Sequence, residues 1–350
     1  MGNDVLDEAY QRLHRTGPEW GENRLTNHGP MAVEVLVRRG HADAVPRWVD
    51  AYLPRLGELP AAGDPITDAT WRDALGDGRR IGDWTAYLTQ QAGQRPWREL
   101  LGTWWPRLLP GIVAGATHGV IRVGHAVTAL LAGDESPQAV TELAHGLAFW
   151  AARSLAVPGA AEPAGALEPG AALDAVPRVP RQDGGVGARL GQLPGLPGWP
   201  ASTAALRPVA GPDEARARLA DLVDATTARY LTHGHASPVL LVHTATAPNA
   251  VLRTLSALPR ELWAPSLSAV WAACAAITSA YAPVRPAPRD ALPAAPTGPD
   301  AAEQVLARAV AHGDEHVVKF ADTAVDAYAR GGDPDALAAA LQVIALLGPA

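Results

Sequence analysis

Apolar residues recur at spacings of three and four through most of this chain, and alternating β-branched runs between turn signals are nearly absent. A helix turns once every 3.6 residues, so this spacing lays an apolar stripe along one helical face, whereas a half-buried strand needs a period of two. The fold class that follows is all-α, a multi-helix globular bundle with a long Pro/Gly/Ala-rich insertion. Helices are predicted near 3–15, 30–39, 44–58, 68–75, 81–92, 97–131 and 136–155, with Pro106 and Pro110 as kinks or breaks in the long one. Later helices are predicted near 212–232, 238–257, 260–282, 299–312, 315–330 and 334–347.

Two segments depart from the period. Residues 156–202 are rich in Pro, Gly and Ala and cannot sustain one regular helix. A connection of this length is a covering loop or lid, or a disordered linker between two helical halves. Residues 282–299, "APVRPAPRDALPAAPTGP", read as an extended proline-rich strap. A length of 350 residues suits one large domain or two small ones. The expected organisation is a single helical domain over 1–350 that carries both segments.

Charge and composition remove several function classes. A net charge of -7 argues against a nucleic-acid or anionic-membrane partner. The start, "MGNDVLDEAYQRLHRTG", lacks a basic segment followed by an apolar one, and no run of about eighteen apolar residues is evident. A soluble cytoplasmic protein is expected, and the oligomeric state is left open. The single cysteine, Cys274, sits in apolar helical surroundings and reads as a packed core thiol. No HExxH, GxSxG, Walker or CxxC pattern occurs, and the glycine cluster at 76–82 follows no strand. A Rossmann-bound flavin or nicotinamide is therefore not expected, and any redox chemistry must come from a metal.

Candidate chemistry gathers around histidines and one lysine. In "ATHGVIRVGHAVTALL", His118, Arg122 and His125 share one face of an otherwise apolar helix, so they need polar partners. His118 and His125 stand about 10.5 Å apart along the axis, too far to bind one mononuclear metal together. Lys319, in "GDEHVVKFAD", is the only lysine among 29 basic residues. Asp314 is the expected N-cap of its helix, which places His316 and Lys319 on one face near the N-terminus. Burial and the helix dipole both disfavour an ammonium there. A free amine in a closed site can add carbon dioxide to give a carbamate, an anionic oxygen ligand that a metal stabilises. The competing reading is a lysine snorkelling to the surface beside Asp322 or Asp326. His243 lies in an apolar helix that Ser237 caps and Pro238 opens, just before Pro248 is expected to interrupt it. His28 precedes Gly29 and Pro30 at the start of another helix. His14, His41, His145, His233, His235 and His312 lie at helix ends, alone or among polar residues and read as structural.

The motifs "NHGPM", "THGVIRVGHAVTAL", "LLVHTATAP" and "GDEHVVKFAD", in this order between 27 and 322, resemble the questin oxidase-like family. The family includes enzymes that open anthraquinone rings in aromatic polyketide biosynthesis. For some members the resemblance implies a non-haem iron held by four histidines and a carboxylated lysine. Carried onto this chain, the implied metal ligands are His28, His118, His243, His316 and Lys319. His125 then belongs to the pocket wall or exchanges roles with His118, and Arg122 pairs with a substrate phenolate or orients the carbamate. The implied cofactors are Fe(II) and a CO2-derived carbamate on Lys319, with NADPH as a candidate reductant. The implied partners are dioxygen and a small polycyclic aromatic substrate. The implied activity is an oxygenase reaction, of monooxygenase (Baeyer-Villiger-like) or dioxygenase type, that cleaves a C–C bond. Trp104, Trp105, Trp150 and Trp199 are candidate stacking walls or core residues. The rival readings are a metal-dependent hydrolase with a carbamylated lysine and a non-catalytic helical binder of aromatic polyketides.

Overall fold

The computed structural model describes residues 2–348 and shows a predominantly helical protein. The chain divides into two compact units: one runs through Ala156 and includes Arg253–Pro259, and the other comprises Val157–Leu252 and the chain from Arg260 onward.

The first unit contains α1 (Gly2–Leu13), a two-strand hairpin of β1 (Glu19–Trp20) and β2 (Leu25–Thr26), α2 (Gly29–Arg38), α3 (Val45–Tyr52), α4 (Trp71–Ala74), α5 (Ile81–Ala92), α6 (Trp97–Leu108), α7 (His118–Leu131) and α8 (Pro137–Ala152). Its core is aromatic. Trp84, Trp104, Trp105 and Trp150 are wholly buried, with Trp104 edge-on to Trp71, Trp84 and Tyr87, and Trp105 edge-on to Trp150. Such rings bury the largest apolar area per residue, and their N–H groups must be satisfied. Trp104 Nε1 donates to Gln91 Oε1 at 3.0 Å and Trp150 Nε1 to the Gly111 carbonyl at 3.1 Å. These tryptophans fill the core. Helix α7 packs against α8, and a Cβ at Gly119 would fall 2.7 Å from Trp150 Cβ. Glycine is what permits that approach.

The stretch predicted as helical over 97–131, with Pro106 and Pro110 as kinks or breaks, is two helices, and the break falls at Pro110. Pro106 stays inside α6, but Leu109–Gly111 tighten into a 3-10 turn around Pro110. Gly115, Ala116 and Thr117 then take positive φ of 53°, 57° and 74° before α7 begins. That run of left-handed residues redirects the chain, and spacing alone did not reveal it.

The second unit contains α9 (Pro169–Asp174), α10 (Val186–Leu190), α11 (Trp199–Ala204), α12 (Pro212–His233), α13 (Pro238–Leu241), α14 (from His243), α15 (Trp263–Tyr281), α16 (Ala301–His312), α17 (Glu315–Gly331) and α18 (Pro334–Leu347). Helix α12 packs on α15, α17 and α18. The proline-rich stretch that opens this unit runs along α15. Val179 N donates to Ser279 O at 3.1 Å, Ser279 Oγ to Pro177 O at 2.6 Å, and Trp271 Nε1 to Thr203 O at 2.7 Å. Arg189 donates to Ala280 O at 2.8 Å and lies over the Tyr281 ring. Prolines lack N–H groups, so these few side-chain and backbone bonds do the anchoring. The 282–299 stretch holds one 3-10 turn, Arg289–Ala291, and is tied to α12 by Ala287 N donating to Thr232 O at 2.7 Å.

Pro248 does not interrupt its helix as expected; it sits inside α14, and the break falls at Val242, between Leu241 and His243. A proline leaves the carbonyl four residues earlier without its helical partner. Here that carbonyl belongs to Thr244, and the Cys274 thiol donates to it at 3.2 Å. The core cysteine therefore satisfies the group that the proline frees. One stretch, Arg260–Tyr281, is long and apolar enough to cross a membrane by length and composition, and 67% of its apolar window is buried inside the protein.

Candidate metal centre

In the first unit, the sequence "NHGP" builds the start of α2. Pro30 lies in the first turn, where its missing N–H costs nothing. Gly29 lets the backbone approach α1, since a Cβ there would fall 2.6 Å from Leu13 Cδ2. Asn27 accepts from Gly29 N at 2.9 Å and donates to Thr16 Oγ1 and Gly17 O, each at 3.0 Å. His28 N donates to the Tyr52 hydroxyl at 2.8 Å. These bonds fix His28, whose ring centroid lies 4.5 Å from that of His118 at the start of α7. Both imidazoles are buried. His118 Nδ1 bonds to the Gly115 carbonyl. A carbonyl only accepts, so Nδ1 carries the proton and Nε2 presents a lone pair, the arrangement found in metal-binding histidines.

The other two polar residues on the α7 face meet carboxylates that the sequence reading did not single out. Arg122 donates through Nε and Nη2 to the two Glu142 oxygens at 2.6 and 2.8 Å, and both side chains are buried. His14 Nε2 lies 2.9 Å from the same carboxylate, and the His14 ring packs against His145. His125 Nδ1 donates to Glu34 Oε2 at 2.6 Å, and Arg38 donates to Glu34 Oε1 at 2.6 Å. Burial would raise the Glu142 pKa, but the Arg122 charge and bonds, with help from His14, hold it down at about 2. His145, pushed down to about 3 by burial and by the charges of His14 and Arg122, is neutral. A lone acid within an apolar run was the available signal for both partners: "MAVEVLV" for Glu34 and "AVTELAHGLAFW" for Glu142.

In the second unit, Asp314 caps α17 by accepting from His316 N at 2.8 Å and Val317 N at 3.2 Å, after Gly313 closes α16 at φ 83°. His316 Nδ1 stands 3.3 Å from Asp314 Oδ1, and Asp314, which burial alone would raise, is held at about 2 by His316 and the cap bonds. Lys319, one turn along, is buried with 2% exposure. The snorkelling alternative is thereby excluded. Burial lowers its pKa to about 8, outweighing the opposing pull of Glu315 and Asp314. His243, at the start of α14, lies 6.2 Å from His316 between ring centroids. Its pKa is driven far down by burial first, then by Lys319 and His316, so the ring is neutral. His243 Nδ1 bonds to the Leu240 carbonyl at 3.1 Å, which again leaves Nε2 as the lone-pair atom.

The donor chemistry fits a metal. His118 and His243, each oriented by a carbonyl bonded at Nδ1, present Nε2 as a ligand atom suited to a borderline cation. Asp314, Glu315 and His316 also offer ligand atoms within 4.8 Å of one another. The protein is thus an all-helical chain with clustered His and Asp/Glu/His side chains fit to hold a metal ion. Of the residues singled out from sequence, the first unit brings His28 to His118 and gives Arg122 and His125 carboxylate partners. The second brings His243 to His316 and buries Lys319 on the same helix. Compared with models of protein families and with curated proteins, the chain matches none.

Proposed function

We propose that this protein is a non-haem iron oxygenase that cleaves a C–C bond of an anthraquinone or related aromatic polyketide. In this reading His28, His118, His243 and His316, with a carboxylated Lys319, are the ligands of a single Fe(II). The observation that carries the reading is Lys319, a fully buried amine one helical turn from His316, on a chain with no second lysine. Burying an amine is costly, and a chain that otherwise uses arginine gains nothing in packing from keeping it. Conversion to a carbamate removes the positive charge and supplies an anionic oxygen ligand, which suits Fe(II) alongside imidazole nitrogen.

Iron held there would supply one-electron chemistry with dioxygen, directed at a ring carbon beside a carbonyl. The chain's own residues contribute position and charge. Gly115 and Leu240 carbonyls hold His118 and His243 with Nε2 unprotonated. Arg122 and His125 form a polar wall whose charge Glu142 and Glu34 balance within the protein. Buried surroundings exclude water, which strengthens every electrostatic contact with a phenolate-like substrate.

A second reading draws support from the Asp314–Glu315–His316 set, which would suit a hydrolase whose carbamate bridges two divalent ions. Anaerobic purification followed by elemental analysis and 13C NMR of protein equilibrated with 13CO2 tests both. One iron per chain and a carbamate signal that vanishes in Lys319→Ala support the oxygenase; two zinc ions per chain support the hydrolase. Metal-free protein with no carbamate signal refutes both.

A further inference from the structure

The first unit carries an open cleft that shares no lining residue with the candidate metal centre. It encloses about 390 Å³ between the β1–β2 hairpin, the turn before α5 and the chain just past α8. Its charged lining is Arg24, Arg79, Arg153 and a single acid, Glu19. The apolar lining includes Trp20, with Pro18 and Pro60.

Two of the guanidinium groups are fixed by carboxylates. Arg153 donates through Nε to Glu19 Oε1 at 2.7 Å and through Nη2 to Glu19 Oε2. Arg79 donates through Nε to Asp77 Oδ1 at 2.9 Å and through Nη2 to Asp77 Oδ2 at 2.7 Å. Each fork leaves Nη1 without a partner among the described residues. Gly78 makes room for Arg153 Nη1, since a Cβ there would overlap it, and the Arg153 side chain keeps 20% exposure. Arg24 is different. Its guanidinium has no hydrogen bond or ion pair among the described residues, and its backbone stands at φ 51°. Glycine fills that left-handed region without strain and arginine does not, and such strain collects where ligands bind.

The three guanidinium groups set against the Glu19 and Asp77 carboxylates leave one positive charge over. A planar guanidinium matches the two oxygens of a carboxylate better than any other small anion of single charge. An indole and two prolines favour a flat ring behind that carboxylate, and the volume lies toward the small end for ligand sites. We propose that this cleft binds a small aromatic carboxylate, with the carboxylate paired to Arg24 and the ring against Trp20. Arg79 and Arg153 add positive field and further donors. The site needs no metal and does not rest on the oxygenase reading.

The test is isothermal titration calorimetry of the full chain with 2-naphthoate, with 2-naphthamide as the uncharged control and inorganic phosphate as the anion without a ring. The parent should bind 2-naphthoate saturably and each control at least about 10-fold more weakly. Arg24→Gln is expected to weaken the acid about 10-fold and leave the amide within about twofold. Arg24→Lys keeps the charge without the fork and should fall between. Gly57 also lines the cleft, and a Cβ there meets nothing within 4 Å, so Gly57→Leu fills the space without disturbing the packing. That variant should weaken acid and amide alike. Arg24 and Gly57 are both exposed, so these variants should melt with the parent. The proposal is overturned if the parent binds no 2-naphthoate, if the amide or phosphate binds as tightly as the acid, or if Arg24→Gln or Gly57→Leu leaves the affinity for the acid unchanged.

Discussion

The two units treat buried charge differently. In the first, two buried clusters are built as ion pairs: Arg122 meets Glu142 in a two-pronged bond, and His125 and Arg38 share Glu34. In the second, Lys319 is buried on a helix whose nearby acids, Glu315 and Asp314, do not offset the loss of water, and its pKa falls to about 8. A compensated network stiffens a wall, whereas an amine eased toward neutrality is ready for chemistry. The contrast separates a scaffold in the first unit from a reactive group in the second.

The sharpest way to break this comparison is to uncouple the wall. Glu142→Gln leaves the buried Arg122 guanidinium without a counter-charge and should destabilise the protein by about 3–5 kcal/mol in urea unfolding. Arg122→Met combined with Glu142→Leu should recover most of that loss, since an apolar pair of similar volume replaces the ion pair. Equal stability of the single variant and the parent would show that the pair carries no charge burden.

The opposite sign is expected in the second unit. Lys319→Met removes the cost of burying an ammonium and should stabilise metal-free protein by about 3 kcal/mol near pH 7, from the difference between about 8 and the ordinary value of 10.5. The same variant should lose its metal. A variant that is less stable and still binds iron would reverse the assignment of this side chain.

Acid and alkali should act on different units. Glu142 titrates near 2 when folded against 4.5 when unfolded, so its contribution is complete above about pH 4.5 and lost as pH falls toward 2. His145, at about 3 when folded against 6.5, takes up a proton more readily in the unfolded chain, so stability also falls between pH 6.5 and 3. Lys319 is depressed from 10.5 to about 8, the unfolded chain binds the extra proton between those values, and stability rises with pH across that window. Hydrogen exchange followed by mass spectrometry across the pH range should show peptides of the first unit losing protection in acid. Peptides around α17 should gain it in mild alkali.

The smallest effect is expected far from the charges. Cys274→Ala removes the donor that satisfies the Thr244 carbonyl and should cost about 1 kcal/mol. In a Pro248→Ala background the helix supplies its own donor, and the cysteine change should cost less. Additive losses would mean that the thiol and the proline are independent.

Much of the fold was legible along the chain because its signals are local. The helix over 315–330 was expected from Asp314 as cap and Gly313 as stop, and the structure has Glu315–Gly331 with both devices in place. The helices expected at 81–92 and 334–347 match the structure at both ends. The misplaced break at Pro248 shows the limit of local reasoning, since the remedy for its missing N–H comes from Cys274, 30 residues from Thr244 in sequence. Part of the candidate site was legible too: His28, His118, His243, His316 and Lys319 stood out by type and spacing. Their acidic neighbours did not, because Glu34 and Glu142 become meaningful only when helices distant in sequence place them 2.6 Å from a histidine and an arginine.

Period, caps and proline placement by themselves determined an all-helical chain, and residue type alone marked one lysine and a set of histidines as the place for chemistry. Tertiary structure decided which charges are balanced, that Lys319 is buried, and that the backbone before His118 turns left-handed with Thr117 held off its cap. The physical reason is range. Helix formation is settled by bonds four residues apart, whereas desolvation, ion pairing and a strained turn depend on what the rest of the fold packs against them.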